Sequence, residues 1–199
     1  MAGQIAPGPD TKTAVRQQII AARDALSPEQ RCNLNAAITP QVLALDAYRN
    51  AGCVLAYMSF GSEFDTTAVV AHALAAGRQL CLPRVNRATR RLELHLIENP
   101  ARDLESGVWS IREPRADCPR ADFARIDFVL LPGVAFTPRC ERLGYGGGFY
   151  DRLIPQFARR PPLVAAAFAL QVCAEIPLDA NDQRVDGVIT DDAFYGNCG

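Results

Sequence analysis

An α/β fold is what this sequence predicts, on three observations: apolar runs of strand length, helical stretches between them, and glycine or proline at the joints. The runs are Cys53–Met58, Gln79–Leu82, Asp127–Leu131, Leu163–Leu170 and Gly187–Thr190. The order strand, helix, strand over residues 53 to 82 predicts a parallel βαβ crossover. With 199 residues the chain is long enough for one well-packed core.

Each element has a local reason. Residues 1 to 11 carry Pro7, Gly8 and Pro9 without periodicity and are predicted to be a flexible tail ahead of one domain, 12 to 199. From Lys12 the apolar residues Val15, Ile19, Ala22 and Leu26 recur on one helical face, and Lys12 and Arg16, four apart, share another. Ser27-Pro28-Glu29-Gln30 supplies a capping serine, a proline at the first helical position and a glutamine at the third, so a second helix opens there. Pro40 is predicted to kink or end it. After the strand Cys53–Met58 comes the polar turn Ser59–Glu63, and Asp65-Thr66-Thr67 leads into an alanine-rich helix, Ala68–Ala76, closed by Gly77. Gln79–Leu82 is a strand ended by Pro83, and Leu92–Leu96 alternates with period two, placing His95 outward. Residues 98 to 125 carry Pro100, Pro114, Pro119 and the single tryptophan, Trp109, and predict irregular structure. Asp127–Leu131 is a buried strand stopped by Pro132-Gly133. A helix over Phe149–Arg159, limited by Pro155, a buried strand Leu163–Leu170, a short helix Gln171–Glu175 and a last strand Gly187–Thr190 complete the chain.

Composition excludes several classes. At 49% hydrophobic and 22% charged residues, collagen-like, low-complexity and wholly disordered chains are ruled out. Basic and acidic residues number 21 and 22, so no net field draws a nucleic acid. The longest apolar run, Leu163–Leu170, is far short of the roughly 20 residues a membrane-spanning helix needs. The first residues have neither a basic nor an apolar region, so no signal peptide is predicted and the expected location is cytoplasmic. The seven cysteines are never closer than 21 positions, which leaves no zinc ribbon and no C-x-x-C pair. Lys12 is the only lysine among the 21 basic residues, which invites a chemical explanation.

The segment richest in chemistry is Arg142-Leu-Gly-Tyr-Gly-Gly-Gly-Phe-Tyr-Asp-Arg152. Glycines tolerate positive φ and carry no side chain, so backbone N–H groups here can turn toward a ligand, and a helix starting just beyond adds its own free N–H groups. Two arginines and a carboxylate bracket the glycines, which favours phosphate and a metal ion over a plain flexible turn. Neither G-x-x-x-x-G-K-[ST] nor G-x-G-x-x-G fits, since Phe149 stands where the third glycine of the latter belongs.

The run Leu131-Pro-Gly-Val-Ala-Phe136 followed by Arg142-Leu-Gly-x-Gly-Gly-Gly-Phe-Tyr-Asp151 resembles the signature of the 5-formyltetrahydrofolate cyclo-ligase family. The likeness extends from about Lys12 to Asp191. It includes Lys12-x-x-x-Arg16, Ser59-x-x-x-Glu63, Trp109-x-Ile-x-x-Pro114, and Ala167-Phe168 through Gln183-x-Val-Asp186. The resemblance implies a three-layer α/β/α sandwich around a mixed, largely parallel sheet, and ATP- and Mg2+-dependent closure of 5-formyltetrahydrofolate to 5,10-methenyltetrahydrofolate with release of ADP and phosphate. It implies that ATP is held by Lys12, Arg16 and the loop Arg142, Leu143, Gly144, Tyr145, Gly146, Gly147, Gly148, Phe149 and Tyr150. Of these, Lys12, Arg142 and Tyr150 would act on the transferred group. Met58, Glu63, Trp109 and the backbone of Tyr145 to Phe149 would meet the folate, and Asp151 and Asp186 would hold Mg2+. The expected partners are these small molecules, with no nucleic acid or membrane, and a monomer.

Plain structural readings stand beside these. A lysine at a helix start is ordinarily solvated, Asp186 alone reads as a turn residue, and Trp109 as core; His72 and His95 are assigned no role. The chain also departs from the family pattern. Thr137 and Cys140 stand where many relatives have aspartate and glycine, and Gly147 where some have lysine. Two other activities remain open: a non-catalytic nucleotide- or folate-binding relative, and a sugar-phosphate isomerase or acyl-CoA transferase of similar architecture that needs no ATP.

Overall fold

A computed structural model describes residues 11–107 and 111–196. The expected tail therefore lies outside the described residues except for Thr11, whose hydroxyl caps helix α1 (Lys12–Asp24) by accepting from the Ala14 N–H. Helix α2 (Pro28–Ala44) opens on a complete capping box: Ser27 Oγ accepts from Gln30 N at 3.1 Å, and Gln30 Oε1 accepts from Ser27 N at 2.8 Å. It runs through Pro40 and does not end there. Ile38 and Val42, on either side of the proline, are fully buried, and this packing offsets the missing amide hydrogen bond. After the single turn α3 (Asp46–Arg49) come β1 (Cys53–Leu55), α4 (Thr67–Ala75), β2 (Gln79–Asn86) and β3 (Arg91–Ile97). The turn α5 (Pro100–Asp103) and a small hairpin, β4 (Leu104–Ser106) with β5 (Arg112–Pro114), follow. Then come β6 (Phe128–Leu131), the hairpin β7 (Ala135–Phe136) with β8 (Arg142–Leu143), α6 (Phe149–Leu153), β9 (Leu163–Ala166), β10 (Gly187–Ile189) and β11 (Phe194–Gly196).

Seven strands form one sheet in the order β11-β10-β9-β6-β1-β2-β3. The inner pairs are parallel, and β3 and β11 close the two edges antiparallel, so the sheet is mixed and largely parallel. Because side chains alternate across a strand, the continuous apolar runs feed two cores at once. Val54, Leu80, Phe128, Leu130 and Val164 pack with Ile38, Val42 and Val69 of α2 and α4. Cys53, Leu55, Cys81, Val129 and Leu163 pack on the opposite face with Leu153 and Phe157. Helix α1 lays Val15 and Ile19 on Val134, Ala135 and Leu143, next to the glycine loop. The result is the expected three-layer α/β/α sandwich.

Several elements differ from the sequence reading for identifiable reasons. Strand β2 continues past Pro83 to Asn86 because β1 pairs with it only as far as Cys81; beyond that point the strand has one neighbour, and a missing N–H is tolerated at an open edge. His95 is buried, not outward. Residues 119 to 121 lie along β3, Leu96 N donating to Pro119 O and Ala121 N to Leu94 O, and the imidazole Nδ1 is 2.8 Å from Cys118 O. The helix expected to reach Arg159 stops at Leu153 and passes into a 3-10 turn, Ile154–Gln156, around Pro155. The strand expected to reach Leu170 ends at Ala166. The helix expected at Gln171–Glu175 is replaced by a 3-10 turn, Ala169–Gln171, because Gln171 turns inward and donates to Gly133 O and Val134 O.

Candidate active site

A cavity of about 930 Å3 opens between the C-terminal ends of β1 and β6, the β2–β3 hairpin and the loop from Arg142 to Asp151. Its walls are mainly apolar, with Met58, Phe60, Pro83, Val85, Leu92 and Phe149 among them, and its charged and polar lining includes Glu63, Arg142, Tyr150 and Asp151 as well as Arg87, Arg90, Arg112 and Glu113. Openings beyond the carboxyl ends of parallel strands are where such folds place ligands.

The glycines have steric reasons. Gly146 and Gly148 hold φ of +96° and +62°, and a Cβ on Gly148 would stand 2.8 Å from the Arg152 guanidinium. Gly147 has no room either, since a Cβ there would fall 2.6 Å from the Phe149 ring. Helix α6, which follows, is only five residues long, so it adds a few free N–H groups and little macrodipole. Arg142 rises from β8 with its side chain 2% exposed; Nη2 donates to Asp151 Oδ1 at 2.6 Å and Nη1 to Pro132 O at 3.3 Å. Asp151 Oδ1 also accepts from Gln183 N at 3.1 Å. Arg142 Nε, the Tyr150 hydroxyl and Glu63 Oε1 are buried without a hydrogen-bond partner. Buried polar atoms are normally satisfied, so three such atoms around one cavity mark where a ligand's polar groups belong. Burial pushes the Tyr57, Tyr145 and Tyr150 phenols upward, with the Glu63 carboxylate adding to each, and burial likewise raises Glu63 itself.

Lys12 and Arg16 stand on α1 and do not line the cavity, and Arg16 reaches the glycine loop. Arg16 Nε donates to Gly144 O at 2.7 Å, and its guanidinium stands beside Gly146. Lys12 Nζ donates to Asp179 at 2.7 Å and also to Asp182. Burial lowers the lysine's pKa, but the two carboxylates outweigh it and hold the ammonium above its ordinary value.

Of the residues singled out from sequence, Met58, Glu63, Arg142, Gly144, Tyr145, Gly147, Gly148, Phe149, Tyr150 and Asp151 line the cavity together. Leu143 is core, 1% exposed and paired with Ala135. Trp109 lies outside the described residues. Asp186 does not line the cavity. Asp186 Oδ2 accepts from Leu163 N at 2.8 Å at the start of β9, Oδ1 pairs with Arg160, and the residue lines a separate depression with Arg139 and Cys140. Among the described residues, no group of three His, Cys, Asp or Glu side chains is placed to hold a metal ion. Sequence reasoning missed Tyr57, Arg23, the cavity wall from the β2–β3 hairpin and β5, with Arg87, Arg90, Arg112 and Glu113, and the Lys12 partners Asp179 and Asp182; of these only the acidic pair, near the Gln183–Asp186 block, left a signal.

The family model for 5-formyltetrahydrofolate cyclo-ligases matches residues 9–191. The chain belongs to this family. A 5-formyltetrahydrofolate cyclo-ligase from Mus musculus is 26% identical over 191 residues, spanning 92% of this chain and 94% of the mouse protein. The cyclo-ligase from Escherichia coli strain K12 is 28% identical over 170 residues, or 84% of this chain and 93% of that protein. The solved structure of 5,10-methenyltetrahydrofolate synthetase from Aquifex aeolicus superposes with a TM-score of 0.81 at 30% identity, covering 93% of this chain and 92% of that one. The synthetase from Mycoplasma pneumoniae shares the fold, with a TM-score of 0.73 at 24% identity. As a cyclo-ligase family member, the protein is an enzyme.

Proposed function

We propose that this cyclo-ligase closes 5-formyltetrahydrofolate to 5,10-methenyltetrahydrofolate in the cavity, using ATP and Mg2+. The observation that carries the reading is the two-sided glycine loop: one side walls an apolar cavity with an unpartnered carboxylate oxygen, and the other meets the Arg16 guanidinium of α1, one helical turn from Lys12. Met58 and Phe60 fit the flat pterin, Glu63 Oε1 fits its N–H edge, and Arg142 Nε and the Tyr150 hydroxyl fit oxygen acceptors. Asp151 is a cavity carboxylate beside the glycine loop and fits Mg2+, which commonly takes one or two protein carboxylates with phosphate oxygens completing its shell. When bound, the ion offsets negative charge on the phosphates.

A formamide oxygen is a poor leaving group. Its attack on the γ-phosphorus of ATP releases ADP and leaves an iminium phosphate. N10 then attacks the formyl carbon, and loss of the N10 proton and of phosphate gives the methenyl product. This chain's residues position the reactants and neutralise charge: Lys12 and Arg16 steady the phosphates, while Arg142 and Tyr150 face the oxygen that becomes phosphorylated.

The test is to incubate purified protein with 5-formyltetrahydrofolate and Mg-ATP and follow the absorbance of the methenyl product. Appearance only with Mg-ATP is expected. A protein that binds both ligands without forming product would be a non-catalytic relative. Lys12→Met should weaken ATP use on the order of tenfold or more, the loss of one charge-assisted contact; full activity at low ATP would remove Lys12 from the site.

A further inference from the structure

Arg23 lies near the C-terminal end of α1 and is 3% exposed, where a guanidinium needs partners and counter-charge. Its Nε donates to Ser62 Oγ at 3.0 Å and its Nη2 to the Tyr145 hydroxyl at 2.9 Å, while Nη1 is buried without a partner. The Ser62 hydroxyl donates in turn to Asp24. The guanidinium stands 5.8 Å from the centre of the Tyr145 ring, which packs on Phe60 at 5.2 Å. One buried cation thus joins α1 to the Ser59–Glu63 turn and to the glycine loop, yet it does not line the cavity.

We propose that Arg23 is a positioning residue for folate recognition: through Ser62 and Tyr145 it fixes the Glu63 carboxylate and supplies the positive charge that balances it. The proposal rests on Glu63 being the acceptor for the pterin N–H edge. Glu63 Oε2 is already committed to the Phe60 N–H at 3.0 Å, so recognition falls to Oε1, which only an ionised, correctly turned carboxylate offers in full. The groups facing Glu63 are the phenols of Tyr57 on the segment after β1, Tyr145 on the glycine loop and Tyr150 on α6, and Arg23 on α1. Arg23 is the only permanent cation of these. Burial raises the Glu63 pKa, and the Tyr145 hydroxyl, the Phe60 N–H and the Arg23 charge oppose that rise. Without Arg23 the carboxyl would keep its proton to higher pH and lose an acceptor.

The test compares Arg23→Gln, Arg23→Lys, Tyr145→Phe and Glu63→Gln by their KM for 5-formyltetrahydrofolate and for ATP across the pH range around neutrality. Arg23→Gln is expected to raise the folate KM on the order of tenfold, the equivalent of one charge-assisted contact, with the ATP KM unchanged. The acid limb of its folate KM profile should move to higher pH. Arg23→Lys, which restores the charge, should return that limb to the parental position. If Arg23→Gln fails to fold, Tyr145→Phe, which removes a single hydroxyl, should still raise the folate KM alone by a severalfold factor. Equal rises in both KM values, or a parental folate KM and acid limb in Tyr145→Phe and Arg23→Gln, would overturn the proposal and make Arg23 a packing residue. A parental folate KM in Glu63→Gln would overturn the reading of Glu63 on which it rests.

Discussion

Glu63 and Glu141 are both buried, at 6% and 4% exposure, and their surroundings treat them in opposite ways. Glu141 sits in the turn between β7 and β8, where both oxygens are saturated: Thr137 Oγ1 donates at 2.8 Å, Arg184 Nη2 at 2.8 Å and Arg139 Nη2 at 3.3 Å. Glu63 faces the cavity with one oxygen bonded and the other bare. Burial pushes both carboxyls up, but around Glu141 the Thr137 hydroxyl and the Arg139 guanidinium reverse the shift, whereas Glu63 stays raised. The same contrast separates Arg160–Asp186, a closed pair at a strand end, from Arg142–Asp151, whose arginine keeps a bare Nε. In these two pairs the saturated charges hold the chain together, and the unsaturated ones face the space a ligand would fill.

The largest effect should come from setting Arg142→Met against Glu141→Gln. Removing one partner of a buried ion pair costs about 3–5 kcal/mol, and here the loss falls on the reacting groups, so kcat/KM per folded molecule should drop on the order of a hundredfold or more. Glu141→Gln should leave kcat/KM within about threefold of the parent, as expected for a site without ligand contact. A similar drop in both would abolish the distinction between the two regions.

Stability should show the reverse order. Glu141→Gln removes charge from a saturated site and is expected to cost about 1.5–3 kcal/mol, whereas Glu63→Gln should be no less stable than the parent at neutral pH. The pH slopes differ in sign. The folded pKa of Glu141 lies below its ordinary value of 4.5, so its contribution is complete above that value and is lost as pH falls through the folded pKa. The folded pKa of Glu63 lies above 4.5, so its ionisation costs stability at neutral pH, and that cost disappears as pH falls through the folded pKa toward 4.5. Melting temperature measured downward from neutrality should therefore fall less steeply in Glu141→Gln and more steeply in Glu63→Gln; parallel curves would refute the assignment.

The contrast also explains how much was legible in the sequence. Buried strands announce themselves as apolar runs, capped helices as Ser-Pro-Glu-Gln, and a loop that excludes Cβ atoms as consecutive glycines; the sheet, its helices and the glycine-loop side of the cavity follow from such local patterns. What stayed hidden depends on long-range pairing. His95 reads as outward until residues 119–121 lie along its strand, and Pro83 reads as a stop until its strand proves to have one free edge. Asp186 occupies a family motif position yet turns to Leu163 N and Arg160, contacts that its neighbours in sequence do not disclose. Arg23 looks like any helix arginine until Ser62 and Tyr145, 39 and 122 positions away, close around it.

A middle-sized effect separates the two aspartates. Asp151→Asn should raise the Mg2+ concentration needed for half-maximal activity on the order of tenfold, since it removes the carboxylate that faces the cavity. Asp186→Asn should leave the Mg2+ titration unchanged and cost about 1 kcal/mol of stability through weaker contacts to Leu163 N and Arg160. A shifted Mg2+ titration for Asp186→Asn would bring the two carboxylates back onto one ion.

The smallest effect concerns backbone, where the two regions adopt the same conformation with different residues. Gly148 holds φ +62° in the loop and Cys140 holds φ +60° in the turn, and Cys140 is one of two described non-glycine residues with positive φ, the other being Arg90. A left-handed residue with a Cβ costs about 1–2 kcal/mol relative to its usual regions, so Cys140→Gly should recover part of that. Against the gain stand the loss of a buried thiol, 8% exposed and 3.5 Å from Tyr195 O, and the greater freedom of glycine in the unfolded chain. Each opposing contribution is also about 1 kcal/mol, so the net change should lie within about 1 kcal/mol of zero, with activity and Mg-ATP-induced stabilisation as in the parent. Gly148→Ala provides the counterpart, because it puts a Cβ on a left-handed residue of the loop that walls the cavity; it should lose most of the Mg-ATP-induced rise in melting temperature. If Cys140→Gly weakened that ligand-induced rise as much as Gly148→Ala does, the turn would belong to the site, and its saturated charges would have to be read as part of ligand binding.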